Sequence, residues 1–352
     1  MKLILTSAIC LLTLYMAFGQ DIHLSQFYMS PLTMNAAKAG AEYDLEAIIN
    51  YKNQWQAIGS PYKTLAASVD GRYKTKKKSS HNRYSAGKKS FWGGGINFIS
   101  DKAGDIKMGL TEISFSAARH VYLSQYSTLG AGLQGGLSQR SISYEGVTWG
   151  NQYDGNSYNP ALPSLEPTGT TSFSYADLGA GIFWNYNNTS GLIKVTDNHD
   201  FKASFGFSAF HLARPMYSYY SSQEKLYIKY VLHGNALISV PNSNIAFAPG
   251  FMFFRQGPTQ EIYPGTMIRY KLRQASKYTG YYQDASISLG GFLRVKDAVA
   301  ITLLLEQSNY AVGISYDVNT SSLKKATTGK GGFEISLKYS NLKRRKMSRS
   351  KF

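Results

Sequence analysis

The run Gly332-Phe333-Glu334-Ile335-Ser336-Leu337-Lys338-Tyr339 puts Phe333, Ile335, Leu337 and Tyr339 on one side of an extended chain and Glu334, Ser336 and Lys338 on the other. The same period of two recurs in Leu129, Ala131, Leu133, Gly135 and Leu137, and in Ile287, Leu289, Gly291, Leu293 and Val295. Residues that alternate in this way meet two environments, one on each face of a strand. Beyond an N-terminal leader, no further apolar run is long enough to read as a helix. Candidate strands cover 45–55, 61–73, 90–100, 107–122, 126–143, 172–186, 201–212, 226–240, 244–256, 262–274, 283–296, 298–307, 309–318 and 331–341. An even set of about fourteen alternating strands predicts an all-β fold, a transmembrane antiparallel barrel in a bacterial outer membrane. Closure leaves no backbone group unpaired in lipid.

The leader supports an exported chain. Lys2 gives the positive start, 3–18 the apolar stretch, and Ala17-Phe18-Gly19 a small-x-small cleavage site, so 1–19 reads as a signal peptide and the mature chain begins at Gln20. The single cysteine, Cys10, lies within it. Ile9 is a poor match to a lipoprotein site, and cleavage there would bisect the apolar run. The mature chain therefore has no disulfide and no thiolate metal site, and its stability rests on the sheet.

Composition agrees with a barrel. Hydrophobic residues make up 43% and mean hydropathy is −0.26, too polar for a bundle of membrane helices. The 27 tyrosines suit the aromatic girdles of a barrel. The net charge of +17 is concentrated in two places, 72–89 and the last ten residues. Elsewhere acids and bases nearly balance. Such blocks are commonly solvated tails, or they hold an anionic partner through salt-sensitive attraction. Lys76, Lys77, Lys78, Lys343, Arg344, Arg345 and Lys346 are the candidate partner-binding bases. Nucleic acid is not an expected partner of an exported chain.

Domain organisation follows: signal peptide 1–19, a plug or periplasmic lead-in over 20–44, the barrel over 45–341, and a basic periplasmic tail over 342–352. In a plug, Gln26, Tyr28 and Asn35 would make polar contacts in the lumen; in a lead-in they would order the approach to the first strand. With both termini in the periplasm, counting strands places the loops 143–172, 213–225 and 319–330 outside the cell and the basic loop 74–89 inside.

Chemical motifs are sparse. The histidines have no zinc spacing, there is no G-x-S-x-G elbow, and Thr328-Gly329-Lys330-Gly331 lacks the upstream glycine of a phosphate loop. His120 and His211 fall among alternating strand residues and read as lumen or interface groups. No catalysis, metal or cofactor is expected.

The stretch Asp21-Ile22-His23-Leu24-Ser25-Gln26-Phe27-Tyr28, with Pro31, Asn35 and Gly40, then Asn50-Tyr51-Lys52-Asn53-Gln54-Trp55, resembles the opening of the PorP/SprF family of the Bacteroidetes type IX secretion system. Asp101-Lys102-Ala103-Gly104, Gly206-Phe207-Ser208-Ala209-Phe210-His211 and Gly313-Ile314-Ser315-Tyr316-Asp317 are similar to later parts of its pattern. Asn35-Ala36-Ala37 departs from the family's Asn-Pro-Ala, and the two basic segments look longer than is typical. The resemblance implies an integral outer-membrane barrel serving secretion and gliding. Its partners would be outer-membrane lipids, a secreted cargo adhesin with a C-terminal sorting domain, and periplasmic or outer-membrane secretion components. Two roles remain open under it, a link to the periplasmic machine and a mount for one adhesin. Outside the family, the competing readings are an outer-membrane transporter for a hydrophobic or nutrient ligand and a soluble all-β adhesin.

Overall fold

The computed structural model describes residues 21–55, 60–73, 90–145, 147–166, 171–188, 201–219, 224–273, 284–321 and 324–341. Within them the chain forms β1 (Leu45–Gln54), β2 (Tyr62–Tyr73), β3 (Ser90–Ala103), β4 (Met108–Tyr122), β5 (Ser127–Ser141), β6 (Ser172–Asn187) and β7 (Lys202–Phe210). They are followed by β8 (Lys229–Ser239), β9 (Ile245–Gln256), β10 (Thr259–Arg273), β11 (Ala285–Arg294), β12 (Ala298–Gln307), β13 (Tyr310–Asn319) and β14 (Lys330–Asn341). Each strand pairs antiparallel with its sequence neighbour. The sheet closes where β1 meets β14, in register from Leu45↔Asn341 to Gln54↔Gly332. The start of β1 and the end of β14 thus share one rim, called here the terminal rim; the other is the far rim.

The barrel is inverted relative to a water-soluble protein. On β5, Leu133 and Leu137 are 69% and 63% exposed, whereas Gln134 and Ser138 are 7% and 2% exposed. Outward rows carry Ile49, Leu65, Ile96, Phe115, Ile182 and Leu289, while inward rows carry Glu46, Asn50, Asp70, His120, Arg269 and Glu334. A continuous apolar exterior over a polar interior is stable only if hydrocarbon covers the outside. No helix among the described residues is long and apolar enough to cross a membrane; the crossing is made by strands.

Several boundaries shift from the sequence reading. β3 runs through Asp101, Lys102 and Ala103, and the turn falls at Gly104 and Lys107, both at positive φ. β9 and β10 are joined by a two-residue turn beginning at Gly257, so β10 starts three residues earlier than alternation indicated. β7 stops at Phe210 because His211 takes a φ of 58°. Pro249 lies within β9 all the same. It pairs with Thr266 of β10, while the β8 ladder is interrupted between Asn235↔Gly250 and Ile238↔Phe247. Proline lacks the N–H that this side would need.

Ahead of β1 the chain lies inside the barrel as a short 3-10 turn (Phe27–Met29), one helical turn α1 (Pro31–Met34) and a second 3-10 turn (Ala36–Lys38). Pro31 opens α1, where its missing N–H costs nothing. Phe27, Met29 and Met34 pack with Phe254, Tyr263 and Phe292 of the wall to form the main apolar cluster.

Candidate functional site

The segment 21–44 runs the length of the lumen, from the far rim to the terminal rim, and inward-facing wall residues hold it at each level. At the far rim, Asp21 bonds His211 through Nε2 (2.7 Å) and lies 3.4 Å from Lys229 Nζ; His211 Nδ1 bonds Asp177 on β6 (2.9 Å). Burial opposes a charged imidazole, but Asp21 and Asp177 outweigh it and push the His211 pKa up to about 10. Burial likewise opposes the Asp21 carboxylate, and Lys229 and His211 outweigh it, holding Asp21 well below the usual range.

One level deeper, Glu334 of β14 accepts the backbone N–H groups of Ser25 (2.6 Å) and Gln26 (3.0 Å). Ser25 Oγ donates to Asp317 (2.7 Å) and accepts from Lys52 Nζ (3.0 Å), and Tyr263 OH donates to the Ser25 carbonyl (3.0 Å). Around them Lys52 pairs with Asp317 (3.5 Å), and Arg294 spans Asp317 and Glu261 (3.4 Å each). Ions taken out of water need this kind of saturation, because any one left alone costs several kcal/mol.

At mid-height Asn35 is fully buried. Its amide nitrogen donates to the carbonyls of Ile182 (2.9 Å) and Phe207 (3.3 Å) and lies 3.2 Å from His233 Nε2; its carbonyl caps the next turn by accepting from Ala37 N (2.9 Å). Nearer the terminal rim, Gly40 N–H donates to Asp70 (2.8 Å), Arg72 donates to the carbonyls of Gly40 and Ala41, and His120 meets the Ala39 carbonyl at 2.9 Å.

Wall glycines make room for this segment. A Cβ on Gly132 would come within 2.6 Å of the Ala37 backbone. One on Gly93 would run into the Ala39 carbonyl, and one on Gly313 into the Gln26 amide. Toward the terminal rim a cavity of about 350 Å³ remains, bordered by Tyr28, Lys38, Tyr43, Arg72, Tyr122 and Glu306.

Of the residues picked from sequence, the structure brings Gln26, Tyr28 and Asn35 into the lumen. Gln26 reaches the Glu334 carbonyl through its side chain (3.3 Å). Tyr28 contributes a ring more than a polar bond, stacking on Phe292 at 5.7 Å. Lys76, Lys77, Lys78, Lys343, Arg344, Arg345 and Lys346, the tail 342–352 and the leader 1–19 lie outside the described residues. Sequence reading missed the wall ions Lys52, Glu261, Arg294, Asp317 and Glu334. The signal for Lys52, Arg294, Asp317 and Glu334 was present, since each is a charged residue at an inward position of an alternating strand, whereas Glu261 fell just ahead of the strand that alternation indicated and joins β10 only in the structure. Among the described residues no three His, Cys, Asp or Glu side chains converge as a metal site.

Lipid-facing exterior, closed fourteen-stranded sheet and occupied lumen define the class: an integral β-barrel of the outer membrane. The family model described as "Type IX secretion system membrane protein PorP/SprF" matches residues 16–339, and the chain belongs to that family. Among solved structures it is similar to the translocator domain of the autotransporter NalP from Neisseria meningitidis (10% identity, 85% of this chain and 88% of that one, TM-score 0.37). It is also similar to BamA from Haemophilus ducreyi lacking POTRA domains 1-3 (9% identity, 85% and 71% covered, TM-score 0.43). A third likeness is the CymD monoaromatic hydrocarbon channel (10% identity, 93% and 96% covered, TM-score 0.40). No curated protein matches the chain.

Proposed function

We propose that this barrel is a plugged, non-enzymatic mount in the outer membrane. In this reading it supports export or surface anchoring of a cargo adhesin with a C-terminal sorting domain and links that cargo to periplasmic parts of the secretion machine. The terminal rim faces the periplasm, the far-rim loops face outward, and 20–44 is the plug. The observation that carries the reading is the lumen segment itself. A solute channel needs a clear or clearable path, whereas here buried ions and backbone hydrogen bonds fasten 21–44 to the wall at every level. The basic loop 74–89 and tail 342–352, with Lys76, Lys77, Lys78, Lys343, Arg344, Arg345 and Lys346, would lie on the periplasmic side as contacts for an anionic machine component.

A deletion strain tests the role. Loss of one or more surface proteins, with nutrient uptake normal, is the expected result; intact surface proteins with lost uptake of a solute would refute it. In planar bilayers the full-length protein should give no steady conductance. A large open-channel conductance would favour the transporter reading instead.

A further inference from the structure

Lys52, Lys229, Arg269 and Arg294 each face a carboxylate inside the lumen. Arg140, near the far end of β5, is different. Alternation points it inward, yet among the described residues it makes no ion pair, and its Nε is buried without a hydrogen-bond partner. Its cross-strand neighbours are Leu110 on β4 and Phe173 on β6. The segment after β7 returns over it with Tyr217, whose ring centroid lies 5.1 Å from the guanidinium, and with Tyr219, which donates to the Ser141 carbonyl (3.3 Å). Phe173 meets Tyr219 at 4.9 Å and Tyr217 at 5.8 Å, both edge to face, and Tyr175 meets Tyr217 at 6.1 Å. A half-buried guanidinium is thus walled by four aromatic rings at the far rim.

We infer that Arg140, framed by Phe173, Tyr175, Tyr217 and Tyr219, is a recognition pocket for a carboxylate of an exported polypeptide. The inference rests on the proposed orientation and secretion role. A guanidinium offers a planar fork to a carboxylate, and aromatic walls strengthen that pairing by excluding water. Rings at this spacing also suit the flat, apolar sides of a peptide better than a hydrated headgroup. The charge count favours a carboxylate over a phosphate. Asp101 lies two strands away in the same cross-strand row, Leu110 standing between it and Arg140, and Asp177 follows two inward positions after Phe173. Asp177 is already paired with His211 (2.9 Å), so Arg140 stands as one cation with no ion pair among the described residues, and a single guanidinium matches a singly charged carboxylate better than a doubly charged phosphate. A purely structural Arg140 would instead serve only to clamp the 211–219 segment onto the wall.

The test uses the full chain in detergent micelles and three fluorescein-labelled probes: a hexaglutamate amide, a hexa-alanine with a free C-terminal carboxylate, and a hexa-alanine amide. The first two separate a side-chain from a terminal carboxylate, and the third is the blank. Anisotropy titrations at near-physiological salt should show binding of at least one carboxylate probe, weakened by about tenfold or more in Arg140→Gln. Arg140→Lys should restore only part of it, because an ammonium lacks the planar fork. Lys296→Gln, which removes an exposed cation from the β11–β12 turn on the same rim, should bind like the parent. Heat modifiability on gels confirms that each variant is a folded barrel, and limited proteolysis at 211–219 reports a clamp. Equal binding by parent and Arg140→Gln, or competition by inorganic phosphate or lipopolysaccharide in preference to the peptides, overturns the inference. Loss of binding only together with new cleavage at 211–219 in both Arg140 variants also overturns it, in favour of the clamp. Surface proteins missing from the deletion strain, with no carboxylate probe bound, would reject the pocket and leave the secretion role standing. Arg140-dependent binding with an unchanged surface proteome would do the reverse.

Discussion

Replacing Asn35 with alanine should release the middle of the lumen segment while leaving the barrel folded. The side chain has two amide hydrogens shared among three acceptors, the carbonyls of Ile182 and Phe207 and His233 Nε2, and one carbonyl that accepts from Ala37 N. At most three of these contacts are full hydrogen bonds. Each is worth about 1 kcal/mol net, and the cap bond lies at the upper end because its loss leaves a buried N–H without a partner. Asn35→Ala should therefore lower the free energy of local opening by about 3 kcal/mol, which is roughly 100-fold in the opening equilibrium. Hydrogen exchange reads this directly: amides of 36–41 should exchange roughly 100-fold faster, while those of β5 and β12 keep their protection. Thr33→Ala is the comparison variant, since Thr33 Oγ1 makes only a local bond to the Ser30 carbonyl (2.8 Å). Unchanged exchange at 36–41, or an equal acceleration across the strands, would refute the reasoning: the first denies the contacts, the second denies that the segment opens separately from the wall.

Gly132→Leu places a side chain where the Ala37 backbone lies within 2.6 Å, so the segment must move; bilayer conductance absent from the parent should appear, and a silent variant would count against the packing. The Asp21–His211 tether should have a broad pH window. The raised His211 pKa gives a contribution complete below 6.5 and lost as pH rises through about 10, and the lowered Asp21 pKa gives one complete above 3.8 and lost as pH falls further. Exchange at Ile22 and His23 should thus be slowest from about pH 4 to about pH 6.5 after correction for intrinsic rates and quicken progressively toward about pH 10, with Asp21→Asn removing the plateau. Deleting 343–352 should weaken co-purification of secretion components with the barrel intact, and unchanged recovery at low salt would remove the tail from the interface.

Alternation made the barrel legible before any coordinates. With a period of two, each inward residue fixes its neighbours outward, so Leu133 and Leu137 had to share a face opposite Gln134 and Ser138. Boundaries drifted where a single backbone angle decided them, as at His211 and Gly257, because alternation carries no information on φ. The opening motif from Asp21 to Gly40 was recognisable as a pattern, but its spacing does not say what each residue touches.

By itself, then, the sequence determined which side chains lipid receives and which the interior receives, since that follows from local geometry alone. Only the tertiary structure decided that the interior is occupied, and by what. Gln26 meets Glu334 across 308 positions of chain, and Asn35 meets His233 across 198. Such pairings exist only once β14 has closed against β1 and drawn inward-facing ions from distant strands around one segment, and no local periodicity encodes that closure.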